Sequence, residues 1–106
     1  MKIAVLGAGG VGAYYGALLA SSGQQVTLIA RGEHLQALRE HGLRVESVHG
    51  DLHLLVQATD DPAKVGPVDL VLVTVKAYDL DRAAEIALPL IGPQSVALPL
   101  LNGLDA

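Results

Sequence analysis

The chain has 106 residues, 51% of them apolar, and a formal net charge of −4. That is enough length and apolar surface for one folded domain with a core; it excludes a disordered chain, and the acidic balance argues against a general nucleic-acid surface. With no cysteine there are no disulfides, thiolate nucleophiles or cysteine-based zinc sites, and with no Phe or Trp the core must be aliphatic.

Residues 2–6, Lys-Ile-Ala-Val-Leu, form a buried strand that runs directly into Gly7-Ala8-Gly9-Gly10-Val11-Gly12, a G-x-G-x-x-G turn. A helix over about 10–22 follows, with small residues Ala13, Gly16, Ala17 and Ala20 for close packing. Gly12 and Gly16 lie four apart and share the face that meets the strand beneath. Lys2 and the almost uncharged stretch after it mimic a signal peptide or membrane span, but the five glycines and the absence of an A-x-A cleavage signal argue for a soluble, cytoplasmic domain. Ser21-Ser22-Gly23 ends the helix. A second apolar strand covers about 25–30, and 33–41 reads as a short helix stopped by Gly42.

The pattern then changes. Residues 43–47 alternate with period two, 52–56 is another strand candidate, and His49-Gly50-Asp51 supplies the turn of a hairpin between them. Thr59-Asp60-Asp61-Pro62 is a loop with a helix-start character, and Gly66-Pro67 is a breaker. Residues 68–75 are the most strand-like segment. A helix runs from Asp79 to about Leu88 and ends or kinks at Pro89. A last strand spans 95–101, and its Pro99 demands an edge, a strand end or a bulge. Strands alternating with helices at these spacings predict an α/β fold: a Rossmann-like parallel sheet with flanking helices and a small antiparallel hairpin. The whole of 1–106 is one domain, and its stop at Asn102-Gly103-Leu104-Asp105-Ala106, straight after a strand, reads as a fragment.

In a dinucleotide-binding turn the first glycine allows the reversal, the second lets the backbone approach a pyrophosphate, and the third lets the helix pack on the sheet. The cofactor-binding candidates are therefore Gly7, Ala8, Gly9, Gly10, Val11 and Gly12. The end of strand two decides which dinucleotide. An Asp or Glu there holds a ribose 2′-hydroxyl, but here the sequence is Ala30-Arg31-Gly32. A guanidinium suits a 2′-phosphate, and such a charge-assisted contact is worth roughly 1.5–3 kcal/mol, or about ten- to a hundredfold preference for NADP over NAD. Lys76 follows strand 68–75 on the same rim, placed to hold phosphate or ribose oxygens or a substrate carboxylate. Asn102 occupies the equivalent place after the last strand and both donates and accepts.

His34 and His41 share a helix face, but no carboxylate completes a metal set with them; with His49 and His53 they read as surface residues, and no metal is expected. Tyr14 and Tyr15 follow the turn, one packing inward and the other covering an interface. Asp79, Asp81, Arg82 and Glu85 read as a solvated helix face.

With Gly7–Gly12, Arg31, Val75-Lys76-Ala77 and Asn102-Gly103 on the page, the chain resembles the N-terminal domain of the ketopantoate reductase (2-dehydropantoate 2-reductase) family along essentially its whole length. The resemblance implies NADPH-dependent reduction of 2-dehydropantoate to pantoate, on the route to pantothenate and coenzyme A. It implies Arg31 at the 2′-phosphate, with Lys76 and Asn102 lining the cleft by nicotinamide and substrate. It also implies that the catalytic lysine and a supporting glutamate lie in a helical C-terminal domain. No catalytic acid is then expected within this chain, which should bind NADP(H) with little or no turnover. Two positions depart from the family's pattern: Leu101 stands where Gln or His often precedes the Asn-Gly pair, and Asp105 where a Gly follows it. A different 2-keto acid substrate is therefore an alternative. So is a nucleotide-sensing regulatory module like those of potassium-channel regulators, although such modules usually carry an acid where Arg31 stands. The expected partners are a small 2-keto acid and the chain's own C-terminal helical domain, with a homodimer compatible and neither nucleic acid nor membrane.

Overall fold

In the computed structural model, residues 1–7, 10–46, 50–74 and 80–100 are described. In chain order the elements are β1 (Lys2–Leu6), α1 (Gly10–Ser21), β2 (Gln25–Ile29), α2 (Gly32–His41), β3 (Leu43–Val45), β4 (Leu52–Leu54), β5 (Gln57–Thr59), α3 (Pro62–Val65), β6 (Val68–Val73) and α4 (Leu80–Ala87). A single 3-10 turn (Leu88–Leu90) leads into β7 (Ile91–Pro99). Five strands make one sheet in the order β5-β2-β1-β6-β7, every neighbouring pair parallel, while β3 and β4 form a separate antiparallel pair. The predicted Rossmann-like α/β architecture with its small hairpin is the observed one.

The central strand explains the layering. Ile3, Ala4, Val5 and Leu6 are all buried, as expected of a strand covered on both faces. Because side chains alternate across a strand, Ile3 and Val5 join Ala17 of α1, Leu38 of α2 and Leu43 and Val45 of β3 on one face. Ala4 and Leu6 join Val71 and Val73 of β6, Ala83 and Ala87 of α4, and Leu90 on the other. The result is a sheet between two layers, with the hairpin laid over the α1 side. No polar or charged residue is buried among the described residues.

Several boundaries follow the sequence closely. The end of α1 is closed by Gly23 N–H to Ala20 O and Gln24 N–H to Leu19 O, each 3.1 Å. Pro89 sits in the 3-10 turn that ends α4. Pro99 ends β7, and β7 has no neighbour on its outer side among the described residues. The segment expected as one strand over 52–56 differs. It breaks after Leu54, and beyond Leu55 and Val56 the residues Gln57–Thr59 pair in parallel with β2 and form the edge of the main sheet. The last strand also starts earlier than expected, at Ile91. There the Ser95 hydroxyl accepts Gly92 N–H at 2.8 Å and donates to Val68 O, beside the register shift between Val68 and Leu70.

Candidate functional site

The strand order reverses direction between β1 and β6: the chain builds outward from β1 to β2 and β5, then returns to place β6 on the other side. In open parallel sheets ligands lie outside the carboxyl ends of the strands at this switch point. Gly7 ends β1 there with φ at 78°, a left-handed conformation that favours glycine. Behind it α1 crosses so closely that a Cβ on Gly12 would lie 2.6 Å from Thr74 Oγ1 and 2.8 Å from the Gly7 carbonyl oxygen. Only hydrogen fits between helix and turn. Four residues on, a Cβ at Gly16 would stand 3.3 Å from Leu28 and 3.6 Å from Val5, which continues the same close approach.

Thr74, just past β6, fastens this junction. Its N–H donates to Leu6 O at 2.9 Å, and its hydroxyl reaches Leu6 O at 2.9 Å and Gly7 O as well. Nothing in the sequence marks Thr74 for this role, because its partners lie 67 and 68 residues away and no local pattern announces them.

From Gly7 a cleft of about 770 Å³ runs across the ends of β1 and β2 toward α4. Leu6, Gly7, Ile29, Ala30 and Arg31 form its floor and rim. Ala30 N–H donates to Thr59 O at 3.0 Å, which carries the rim on to the end of β5. Polar and charged groups enter from three sides: Arg31 and His34 from the start of α2, Asp60 and Asp61 before α3, and Arg82 and Glu85 from α4. The Asp61 carboxylate accepts Ala63 N–H at 3.1 Å and so caps α3. Arg31 is exposed, and its side chain has no hydrogen-bond or ion-pair partner among the described residues. A cation without a counter-charge at the rim of such a cleft suits an anionic group of a ligand.

A larger opening, about 930 Å³, lies at the other end of the sheet and is lined by Lys2, Gln24, Gln25, Arg39 and the outer side of β5. It is remote from the glycine turn and adjoins the amino ends of β1 and β2, so the smaller cleft is the better candidate.

The structure therefore brings Gly7 and Arg31 to one cleft and places Gly10, Val11 and Gly12 in the first turn of α1. Ala8, Gly9, Lys76 and Asn102, with Leu101 and Asp105, lie outside the described residues. His34, His41 and His53 are exposed, and the His53 Nε2 atom lies 2.7 Å from His41 O. Tyr14 packs against the α1-side core and meets the exposed Tyr15 edge-on, the ring centroids 5.6 Å apart. No helix among the described residues is long and apolar enough to cross a membrane.

Fold and site together define a doubly wound, Rossmann-like domain with its cleft at the switch point. The comparisons narrow this. Residues 3–106 match the family model described as ketopantoate reductase PanE/ApbA, and the chain belongs to that family. It is 39% identical over 104 residues to a 2-dehydropantoate 2-reductase of Pyrococcus horikoshii, covering 98% of this chain and 34% of that protein. The crystal structure of 2-dehydropantoate 2-reductase from Geobacter metallireducens superposes with a TM-score of 0.90 at 41% identity, covering 98% of this chain and 35% of that one. A ternary structure of D-mandelate dehydrogenase with NADH and anilino(oxo)acetate superposes with a TM-score of 0.84 at 33% identity, covering 96% of this chain and 34% of that one. The chain thus spans about a third of the length of these relatives.

Proposed function

We propose that this chain is the NADPH-holding part of a 2-dehydropantoate 2-reductase. The observation that carries the cofactor reading is Arg31: a guanidinium unpaired among the described residues, where NAD-binding domains keep a carboxylate, in the same cleft as the positive-φ Gly7. The cradle suits a dinucleotide, since the missing side chain at Gly12 lets the start of α1 sit against Gly7, and a helix N-terminus there favours a pyrophosphate. When bound, NADPH supplies the hydride that reduces the 2-keto group. The chain's own residues do the rest of the holding. Gly7 and the start of α1 receive the pyrophosphate, and Arg31 takes the 2′-phosphate. Lys76 and Asn102 line the nicotinamide and substrate end.

Reduction of a ketone builds negative charge on its oxygen, which must be stabilised and protonated. In this reading the lysine and glutamate for that work lie in a helical domain that follows residue 106, and the present chain binds cofactor without appreciable turnover alone. The substrate arrives in the cleft between the two.

A second reading has one specific support. D-mandelate dehydrogenase, whose ternary structure holds NADH, shares this fold at 33% identity, so a relative that uses NADH on another 2-keto acid is the alternative. Calorimetry with NADPH and NADH on wild type and Arg31→Ala separates the two. The proposal expects wild type to prefer NADPH and the substitution to weaken NADPH binding by about ten- to a hundredfold while sparing NADH. Equal affinities in the wild type would favour the alternative.

A further inference from the structure

We propose that His34 is a specificity-determining residue that joins Arg31 in holding the 2′-phosphate, an inference that rests on the NADPH reading of the cleft. Arg31 is the N-cap of α2, with φ −147° and ψ 166°, and His34 is the third residue of the helix. These two positions are neighbours in the first turn, the relationship that lets a capping-box pair reach one another. Here neither side chain is spent on the helix. Arg31 makes no side-chain cap, and His34 has no hydrogen-bond or ion-pair partner among the described residues. Both are exposed and both line the 770 Å³ cleft, whereas Glu33 between them does not.

The groups facing them set the balance. Across the cleft stand Asp60 and Asp61, and from α4 Arg82 and Glu85. Asp60, Asp61 and Glu85 all bring negative charge to this cleft, Asp61 with one oxygen engaged by Ala63 N–H, and so oppose a phosphate on this rim. Arg82 stands on the α4 side, so on the α2 side Arg31 alone would meet that opposition with a single positive charge. An imidazole beside it adds an N–H donor in either protonation state, and positive charge when protonated. A phosphate oxygen gains from both, whereas the 2′-hydroxyl of NADH has no charge for them to neutralise. His34 therefore acts on the difference between the two cofactors rather than on dinucleotide binding as such. The sequence hid this residue among four surface histidines because its significance depends on Arg31 being an N-cap.

The test is calorimetry on the full protein with NADPH and NADH as probes, for wild type, His34→Ala, His34→Gln and Arg31→Ala. Because His34 is exposed, its substitution leaves the core untouched. The expected result is about a tenfold loss of NADPH affinity in His34→Ala with NADH affinity within about twofold, and partial recovery in His34→Gln, which restores an N–H donor. An unchanged NADPH-to-NADH ratio in His34→Ala, while Arg31→Ala collapses it, would overturn the role of His34 and leave the cofactor reading standing. A wild type without preference for NADPH would overturn both.

Discussion

Gly12 is where the cost of a single atom can be stated most directly. A methyl there would overlap the Gly7 carbonyl as well as the Thr74 hydroxyl, and backbone cannot rotate away as a flexible side chain can. Gly12→Ala is therefore expected to force α1 off the turn. Thermal denaturation should show a loss of about 1–3 kcal/mol, with dinucleotide affinity falling alongside it. A variant of wild-type stability and affinity would mean that the approach is looser than described. Gly7, Gly12 and Arg31 were legible in the sequence because each satisfies a local requirement: a reversal, a close crossing, a charge at a strand end. Thr74 and His34 were not. The first works through the distant carbonyls of Leu6 and Gly7, and the second through a neighbour whose role as a helix cap is visible only in the fold.

At the scale of elements, β1, α1, β2, β6 and α4 were legible because their apolar spacing already reports two buried faces or one. The stretch from Leu52 to Thr59 was not. No turn residue separates Leu54 from Gln57, and the break comes from competition between partners: β4 pairs with β3, while β5 is captured by the edge of β2. Leu55, 83% exposed, marks the crossing between the two sheets. The early start of β7 has a similar origin, since Ser95 reaches back to Val68 across the sheet. Packing after α4 offers a clean contrast. Leu90 is fully buried against β6 and α4, whereas Leu88, two residues earlier in the same 3-10 turn, is 68% exposed. Leu90→Ala is expected to cost about 2–5 kcal/mol in denaturant unfolding, and Leu88→Ala less than about 0.5 kcal/mol. Similar losses from both would show that the turn does not anchor the second layer as described.

For the molecule as a whole, the parallel sheet separates two openings. The glycine turn, Arg31 and His34 gather at the carboxyl ends of the strands, while the larger opening by Lys2 and Gln24 gathers none of them. Size would favour the second and topology the first. The central claim is that the dinucleotide occupies the switch-point cleft, and amide chemical shifts during titration of the isotopically labelled chain with NADPH test it most directly. The account predicts saturable shifts at Gly7, Arg31 and His34, with Lys2, Gln24 and Arg39 unmoved. Shifts confined to Lys2, Gln24 and Arg39, with Gly7 and Arg31 silent, would contradict it.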